Sequence, residues 1–515
     1  MKQIKYIKIG MLALSFCSIL ACSDLVQEPV GLLTPNTAFS TVGEVEKGVF
    51  GSYSNLASER LWGRQYTMSV LLRGDMCDIG ELNTSGFRIE INEMNITPYN
   101  DVVSSFWPQA YLVISAANTA IFGGENLKND AGEKLIDVEP KTINPLIAEA
   151  KFNKAFMYYH LVRCFGGLPY VDAFVDDPAT VATISKTPEN EVYENIITDL
   201  KYAKEWLPEK RVPDVRSRPS KGTAAAYLAS VYLTLGRYQE AYDEAKYVIE
   251  NKALFGYELT EDFQDLWDGP NANGLKEHLF AIDFLANYGN EPVNVDFIPA
   301  LTGVRNADPV GWSICVPSEK VYQTWDNRDY RKVVSFDTVA NLPIVGGSYL
   351  IQPYSAFTTV PRPHIAKYIR NGGGALGDSE NNYADMRYAE VLLTAAEALN
   401  EISGPTSEAQ GYVNEVRARA RNWAGTLTDF PADVNAGISK DEFRDLVLEE
   451  RRLELAFEFK RWFDIKRRQL GDKVFKGPNS LEPHENFDAS KDYLFPLPQR
   501  ELDNYPSFGP QNPGY

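Results

Sequence analysis

Apolar residues recur at spacings of three and four along several stretches of the chain, and each such stretch predicts an amphipathic helix. Val42, Val45, Val49, Tyr53 and Leu56 share one face behind Thr41-x-x-Glu44, the capping-box pattern of a helix start. Residues 147–165 repeat the signal through Ala148, Phe152, Ala155, Phe156, Tyr159 and Val162, and Gly166-Gly167 with Pro169 stop it. The pattern continues over 191–206, 223–250, 385–421 and 440–468. Val102–Gly124 carries no charge over 23 residues. Pro108, Gln109 and Asn118 within it favour a buried helix of a soluble body over a membrane span.

In 223–250, Leu228, Tyr232, Gly236, Tyr238, Ala241 and Ala245 stand where a tetratricopeptide helix pair alternates large and small packing residues. Such pairs stack into a superhelix because no single pair buries its own apolar face. Between 251 and 382 the periodicity fades and Gly, Pro, Asn and aromatic residues rise, with short runs such as Leu279–Phe284 compatible with strands. A long irregular segment rich in aromatics reads as functional rather than disordered. The predicted fold is mainly α, a superhelix of tetratricopeptide-like pairs with a large irregular region and few short strands.

The first residues read as an address. Lys2, Lys5 and Lys8 precede an apolar run of 13 residues, Ile9–Ala21, too short for a stable span and of the length of a secretory signal. Ile19-Leu20-Ala21-Cys22 then resembles a bacterial lipobox. Cleavage before Cys22 and acylation of its thiol and freed amine would give two or three chains, enough for a stable membrane anchor. The expected organisation is a signal peptide at 1–21, a lipidated tether at 22–35 and a helical region with tetratricopeptide-like pairs at 36–250. An irregular ligand-face segment follows at 251–382, then C-terminal helical pairs at 383–470 and an extended tail at 471–515, with 22–515 forming one integrated domain.

The 515 residues carry 51 Lys+Arg against 70 Asp+Glu, a net charge of −19, which disfavours nucleic acid as a partner. With Cys22 acylated, Cys77, Cys164 and Cys315 remain in the body, an odd number that implies no complete disulfide framework. Glu450, Arg451, Arg452, Glu454 and Glu458 look like an acid–base cluster, but their spacing on one helix favours ion pairs and helix–helix bonds. Gly372-x-Gly374-x-x-Gly377 lacks the flanking strand and helix of a dinucleotide site and reads as a loop. Arg73-Gly74-Asp75 matches an adhesion tripeptide that arises often by chance. His160, His278, His364 and His484 are scattered without zinc spacing, and no serine-hydrolase elbow occurs. No catalytic residue, metal or cofactor is predicted.

Several stretches together resemble the SusD/RagB family of outer-membrane nutrient-binding lipoproteins. They are 148–152 (AEAKF) leading to 161–169 (LVRCFGGLP), 220–225 (SKGTAA), 387–391 (RYAEV) with 395–398 (AAEA), 413–420 (VNEVRARA), 450–458 (ERRLELAFE) with 461–464 (RWFD), and 511–515 (QNPGY). The resemblance implies a helical fold with four tetratricopeptide-like pairs and an irregular ligand-binding face. It also implies a SusC-like TonB-dependent outer-membrane transporter as partner, with the lipoprotein as a lid at the cell exterior that captures oligosaccharides or peptides. A tetratricopeptide scaffold and a surface glycoside hydrolase are the other classes the residues admit, the latter because two carboxylates brought together in space would suffice.

Sugar rings stack C–H patches on aromatic faces and offer hydroxyls to planar or charged partners, and binding residues favour loops on a rigid scaffold. Two segments outside the helical pairs meet those needs. Leu71–Phe87 supplies Arg73, Asp75 and Phe87; Asn287–Tyr354 supplies Tyr288, Asn290, Trp312 and Tyr354. Trp312 and Tyr288 are expected to be stacking platforms, and Arg73 and Asp75 paired hydroxyl binders. Trp107 and Trp462 lie in helical patterns and are expected in the core.

Overall fold

A computed structural model describes residues 38–128, 134, 138–212, 214–285, 295–344, 347–368 and 379–515. The predicted leader, the lipidation site at Cys22 and the glycine-rich loop at 372–377 lie outside the described residues.

The N-terminal half is built from α1 (Val42–Leu56), α2 (Gln65–Leu72), α3 (Gly86–Asn92), α4 (Asp101–Glu125), α5 (Pro140–Phe165), α6 (Glu189–Trp206), α7 (Lys221–Thr234) and α8 (Tyr238–Glu250). The predicted capping box opens α1: Glu44 N donates to Thr41 Oγ1 at 3.3 Å, and Thr41 N to Glu44 Oε2 at 2.9 Å. Gly166 ends α5 at φ +68°, a left-handed conformation that costs glycine nothing. The helix over Val102–Gly124 is α4, and among the described residues no helix is long and apolar enough to cross a membrane.

Helices pack on their neighbours along the chain: α5 on α4 and α6, α7 on α6 and α8. Ala241 and Ala245 are fully buried in α8, opposite the buried Leu228 and Tyr232 of α7, as the tetratricopeptide spacing requires. The C-terminal half continues through α9 (Tyr388–Ser403), α10 (Ser407–Ala420), α11 (Lys440–Glu454), α12 (Arg461–Arg467) and α13 (Gly471–Phe475), with α8 docking on α9. One continuous core draws on both halves, from Trp62 and Phe156 to Tyr388 and Trp462.

Strands come in two-stranded pairs. Those that matter here are β1 (Cys77–Ile79), β2 (His278–Ile282), β3 (Cys315–Pro317), β4 (Val339–Pro343), β5 (Tyr349–Pro353) and β6 (Tyr383–Arg387). The apolar run at 279–284 is β2, buried throughout and paired antiparallel with β6. Asp385 of β6 is a buried hub: Tyr227 Oη donates to it at 2.5 Å, Trp62 Nε1 at 3.3 Å, and Lys460 Nζ lies at 3.5 Å.

The charged cluster is structural, but α11 ends at Glu454, so Glu458 lies in the turn beyond it rather than on the same helix, and the partners come mostly from other elements. Arg331 reaches Glu450 at 2.6 Å and Glu454 at 3.4 Å. Arg387 reaches Glu277 at 2.5 Å, Glu454 at 3.0 Å and Glu458 at 2.7 Å. Lys367 meets Glu458 at 2.6 Å, and Arg419 joins Glu277 to Glu454. Within α11 the pairings at helical spacing are Arg452 with Glu449 and, nearer its start, Arg444 with Asp441. Tertiary contacts override the local i,i+3 and i,i+4 geometry because burial makes an unpaired charge far more costly than an exposed one.

Candidate functional site

β1 and β3 pair antiparallel, Cys77 opposite Pro317 and Ile79 opposite Cys315. The ladder runs on irregularly, with Gly80 N donating to Ile314 O at 3.0 Å and Glu81 N to Ser313 O at 2.8 Å. This pairing brings the two segments singled out in the sequence, Leu71–Phe87 and Asn287–Tyr354, side by side.

The chain around Trp312 is held by its backbone. Trp312 N donates to Ala300 O at 2.6 Å and Ile314 N to Leu301 O at 2.9 Å, both on the short helix Ile298–Thr302. Phe297 N donates to Gly63 O at 2.8 Å, which adds the turn before α2 to the same face. Asn306 (φ +62°) and Ser313 (φ +51°) are left-handed residues without the freedom of glycine, so the loop that carries Trp312 stores strain. Ser313 Oγ accepts from Arg305 N and hydrogen bonds His364 Nε2, each at 2.8 Å. Burial pushes His364 down to about 4, so it is a neutral strut at ordinary pH.

On this support Trp312 and Phe297 stack, half-buried, with ring centroids 5.6 Å apart and an interplanar angle of 26°. The Arg64 guanidinium lies 5.4 Å from the Phe297 centroid and pairs with Glu59. Arg305 pairs with Glu81 at 2.9 Å, and Arg88 Nη1 donates to Thr84 at 2.9 Å. Burial, then the nearby Arg88, lowers the pKa of Arg64; burial also lowers that of Arg88. Arg64 Nε is buried without a hydrogen-bond partner, as is Gln65 Oε1 beside it. Aromatic faces, planar donors and carboxylates thus converge on one surface, a combination that holds C–H patches and hydroxyls together.

Asp296, adjacent to Phe297, accepts from Ile298 N at 2.8 Å and Ser379 Oγ at 2.6 Å but meets no cation among the described residues, and burial pushes its carboxyl up to about 7. A raised folded-state pKa contributes stability that is present below the ordinary carboxylate value and lost as pH rises through about 7. Asp296→Asn keeps an acceptor for Ile298 N and removes the buried charge. It should therefore be more stable than the parent above pH ~7, by an amount on the order of 1–3 kcal/mol that shrinks towards pH ~4. Paired denaturant titrations across that range measure the difference.

The structure sorts the residues expected from sequence. Trp312 is on the face. Phe87 lies in the first turn of α3, exposed, and its carbonyl accepts from Asn100 at 2.9 Å. Tyr354 is half-buried in a separate small cluster with Val304, Ala307, Leu342 and Phe357, where it anchors the β4–β5 hairpin. Tyr288 and Asn290 lie outside the described residues. Arg73 and Asp75 are not hydroxyl binders on this face. Arg73 is fully buried, its guanidinium 4.9 Å from the Trp462 ring centroid and 5.2 Å from that of Phe495, and it donates to the Asp492 carbonyl. Asp75 is buried in a bidentate pair with Arg461, at 2.7 and 2.8 Å. Trp107 and Trp462 fill the core as expected. Phe297, Arg64, Glu81, Arg88 and Arg305 were not singled out. Phe297 lay inside the chosen segment; nothing local marked Arg64. Among the described residues no group of three or more His, Cys, Asp or Glu is placed to hold a metal ion.

Known proteins resemble the chain along its whole length. It is 49% identical over 510 residues to SusD-like protein P2 of Formosa agariphila, covering 97% of each chain. The chain belongs to the SusD family. The SusD family model matches residues 316–515, and a model described as starch-binding associating with outer membrane matches 45–233. Among solved structures, a SusD homologue of Bacteroides thetaiotaomicron superposes with a TM-score of 0.78 at 22% identity, over 93% of this chain and 98% of that one. A laminarin-binding SusD-like protein superposes with a TM-score of 0.74 at 23% identity, over 92% and 99%. The SusD fold is therefore the architecture described above, and the first family model takes in helices α9 to α13 and the C-terminal tail.

Proposed function

We propose that this SusD-family chain is a surface-exposed lipoprotein of the outer membrane that binds oligosaccharides on the Trp312–Phe297 face and delivers them to a TonB-dependent transporter. The observation that carries the reading is the half-buried aromatic pair flanked by Arg64, Arg88, Arg305 and Glu81, all held on strained or hydrogen-bonded backbone. Laminarin binding in a structural relative and the starch-binding description of the matched model support a saccharide as ligand. The anchor is assigned to Cys22 because Ile19-Leu20-Ala21-Cys22 closes a well-formed apolar run.

Delivery needs a surface for the transporter beside the ligand face, and the β4–β5 hairpin supplies one. Val339, Ile344, Tyr349, Leu350 and Ile351 are exposed on it, and residues 338–361 contain no charged side chain in a chain of net charge −19. Asp308 N, in the loop leading to Trp312, donates to Asn341 O at 2.9 Å and ties the hairpin to that face. Binding without chemistry is the role assigned to the protein.

Calorimetric titration with panels of oligosaccharides and of peptides tests the ligand. Trp312→Ala should fold normally and bind its saccharide roughly tenfold to a hundredfold more weakly, the worth of a lost stacking platform. Equal affinity in parent and variant, or binding confined to peptides, would overturn the saccharide assignment.

A further inference from the structure

A second cleft, of about 910 Å³, opens on a different part of the surface, between the last turns of α11, the starts of α12 and α13, the loop at 477–481 and the short helix Glu319–Thr324. Its volume is that of a small-ligand site. Its chemistry is unlike that of the Trp312 face: among the described residues no aromatic lines it, and four cationic side chains, Lys320, Arg452, Arg461 and Lys473, face two carboxylates, Asp75 and Glu449. An excess of positive charge in one concavity is out of keeping with a chain of net charge −19.

The donors in the cleft are incompletely used. Arg461 commits Nε and Nη2 to Asp75. Arg452 gives Nε and Nη2 to Glu449, while its Nη1 donates to the Met76 thioether at 3.2 Å, a weak acceptor. Lys320 donates to Ser480 O at 3.0 Å and is otherwise exposed. Lys473, largely exposed, has Asp445 at 3.6 Å. Ser480 lines the cleft with its Oγ buried and without a hydrogen-bond partner. A cleft lined by four cations and by a serine whose hydroxyl is unmatched suits an acceptor-rich anionic group.

We infer that this cleft binds the anionic groups of an acidic oligosaccharide, a carboxylate or a sulfate ester on the sugar ring. The inference rests on the saccharide reading above and adds to it the charge class of the ligand. Without an aromatic platform the cleft has little to offer a neutral sugar, whereas carboxylates and sulfates match ammonium and guanidinium donors directly. Val474, Pro478 and Leu481 supply apolar wall for the ring itself.

Titration of the full chain with four probes tests this: short uronic-acid oligosaccharides, short sulfated galactan oligosaccharides, neutral gluco-oligosaccharides and sodium sulfate. The variant is Lys320→Ala/Lys473→Ala, which removes two exposed lysines and leaves the buried pairs intact. At least one acidic pool should bind, more weakly as salt rises, and should lose roughly tenfold in affinity in the double variant. The uronate and sulfated arms identify which acid is recognised. Failure of both acidic pools to bind, unchanged affinity in the double variant, or sodium sulfate binding as tightly as the oligosaccharides would each overturn the inference. An acidic pool whose binding falls in Trp312→Ala but not in the lysine variant leaves the aromatic face standing and removes the cleft. Loss in the lysine variant alone, with every pool indifferent to Trp312→Ala, does the reverse.

Discussion

Glu454→Gln is expected to destabilise the protein by about 3–5 kcal/mol, the range for removing one partner from a buried ionic network. Five cations, Arg331, Lys367, Arg387, Arg417 and Arg419, meet five carboxylates, Glu277, Asp329, Glu450, Glu454 and Glu458. Glu454 is fully buried and is shared by Arg331, Arg387 and Arg419. Burial alone would raise its pKa, yet Arg419, Arg387 and Arg331 hold it well below the usual carboxylate range. Neutralising it leaves three guanidiniums short of counter-charge where water cannot reach them. The cost should appear in urea denaturation as a lower midpoint with an unchanged slope. Lys276→Ala makes the contrast: it breaks the exposed Lys276–Glu258 pair at 2.8 Å and should change stability by less than ~1 kcal/mol.

Buried ion pairs, in this network and beside it, set the acid limit. A carboxylate whose folded-state pKa is depressed contributes stability that is present above its unfolded value, ~4, and lost as pH falls through the folded one. Glu454 is such a group, and so is Asp464, which burial pushes up but Arg451 and Arg467 hold down to about 2. The parent should therefore lose stability steeply between pH ~4 and ~2, and Glu454→Gln, which has already lost one of these carboxylates, less steeply.

How legible these features were in the sequence follows from the range of the interactions that make them. The helix from Val42 to Leu56 announces itself because cap and face are both local, and Gly166 ends its helix through its own backbone. Ala241 and Ala245 were readable for the same reason, since the repeat fixes what they pack against. Arg73 and Asp75 failed for the opposite reason. Their partners, Asp492 and Arg461, lie more than 380 residues on in the chain, and no pattern near position 73 announces them. The α11 cluster falls between these cases: its structural role was legible from spacing, but its partners on other elements were not. Aromatic-rich irregular chain of the kind that carries the candidate site is visible as such in the sequence. Which residues of it turn outward depends on the β1–β3 register, a contact across more than 200 residues.

That register is the basis of the last prediction: Gly80→Ala should weaken saccharide binding about as much as Trp312→Ala, although residue 80 has no side chain to touch a ligand. A Cβ at Gly80 would lie 2.4 Å from the Ser313 carbonyl oxygen and 2.9 Å from Val316 Cγ1. Neither contact is tolerable, and the first is to backbone, which cannot rotate away as a flexible side chain can. The chain must part there, breaking Gly80 N to Ile314 O and Glu81 N to Ser313 O, the two bonds that fix the Trp312 loop against β1. The stability cost is on the order of 1–3 kcal/mol, the usual penalty of overpacking, so the protein should still fold. Its face should not survive, because Ser313 is the neighbour of Trp312 and Glu81 is the partner of Arg305. Gly86→Ala, six residues further on, meets nothing within 4 Å and should bind as the parent does. Calorimetric titration of the two variants with the same oligosaccharide separates the effects. Parent-like affinity in Gly80→Ala would mean that the Trp312 loop is not positioned by β1, and the site would have to be sought elsewhere on the molecule.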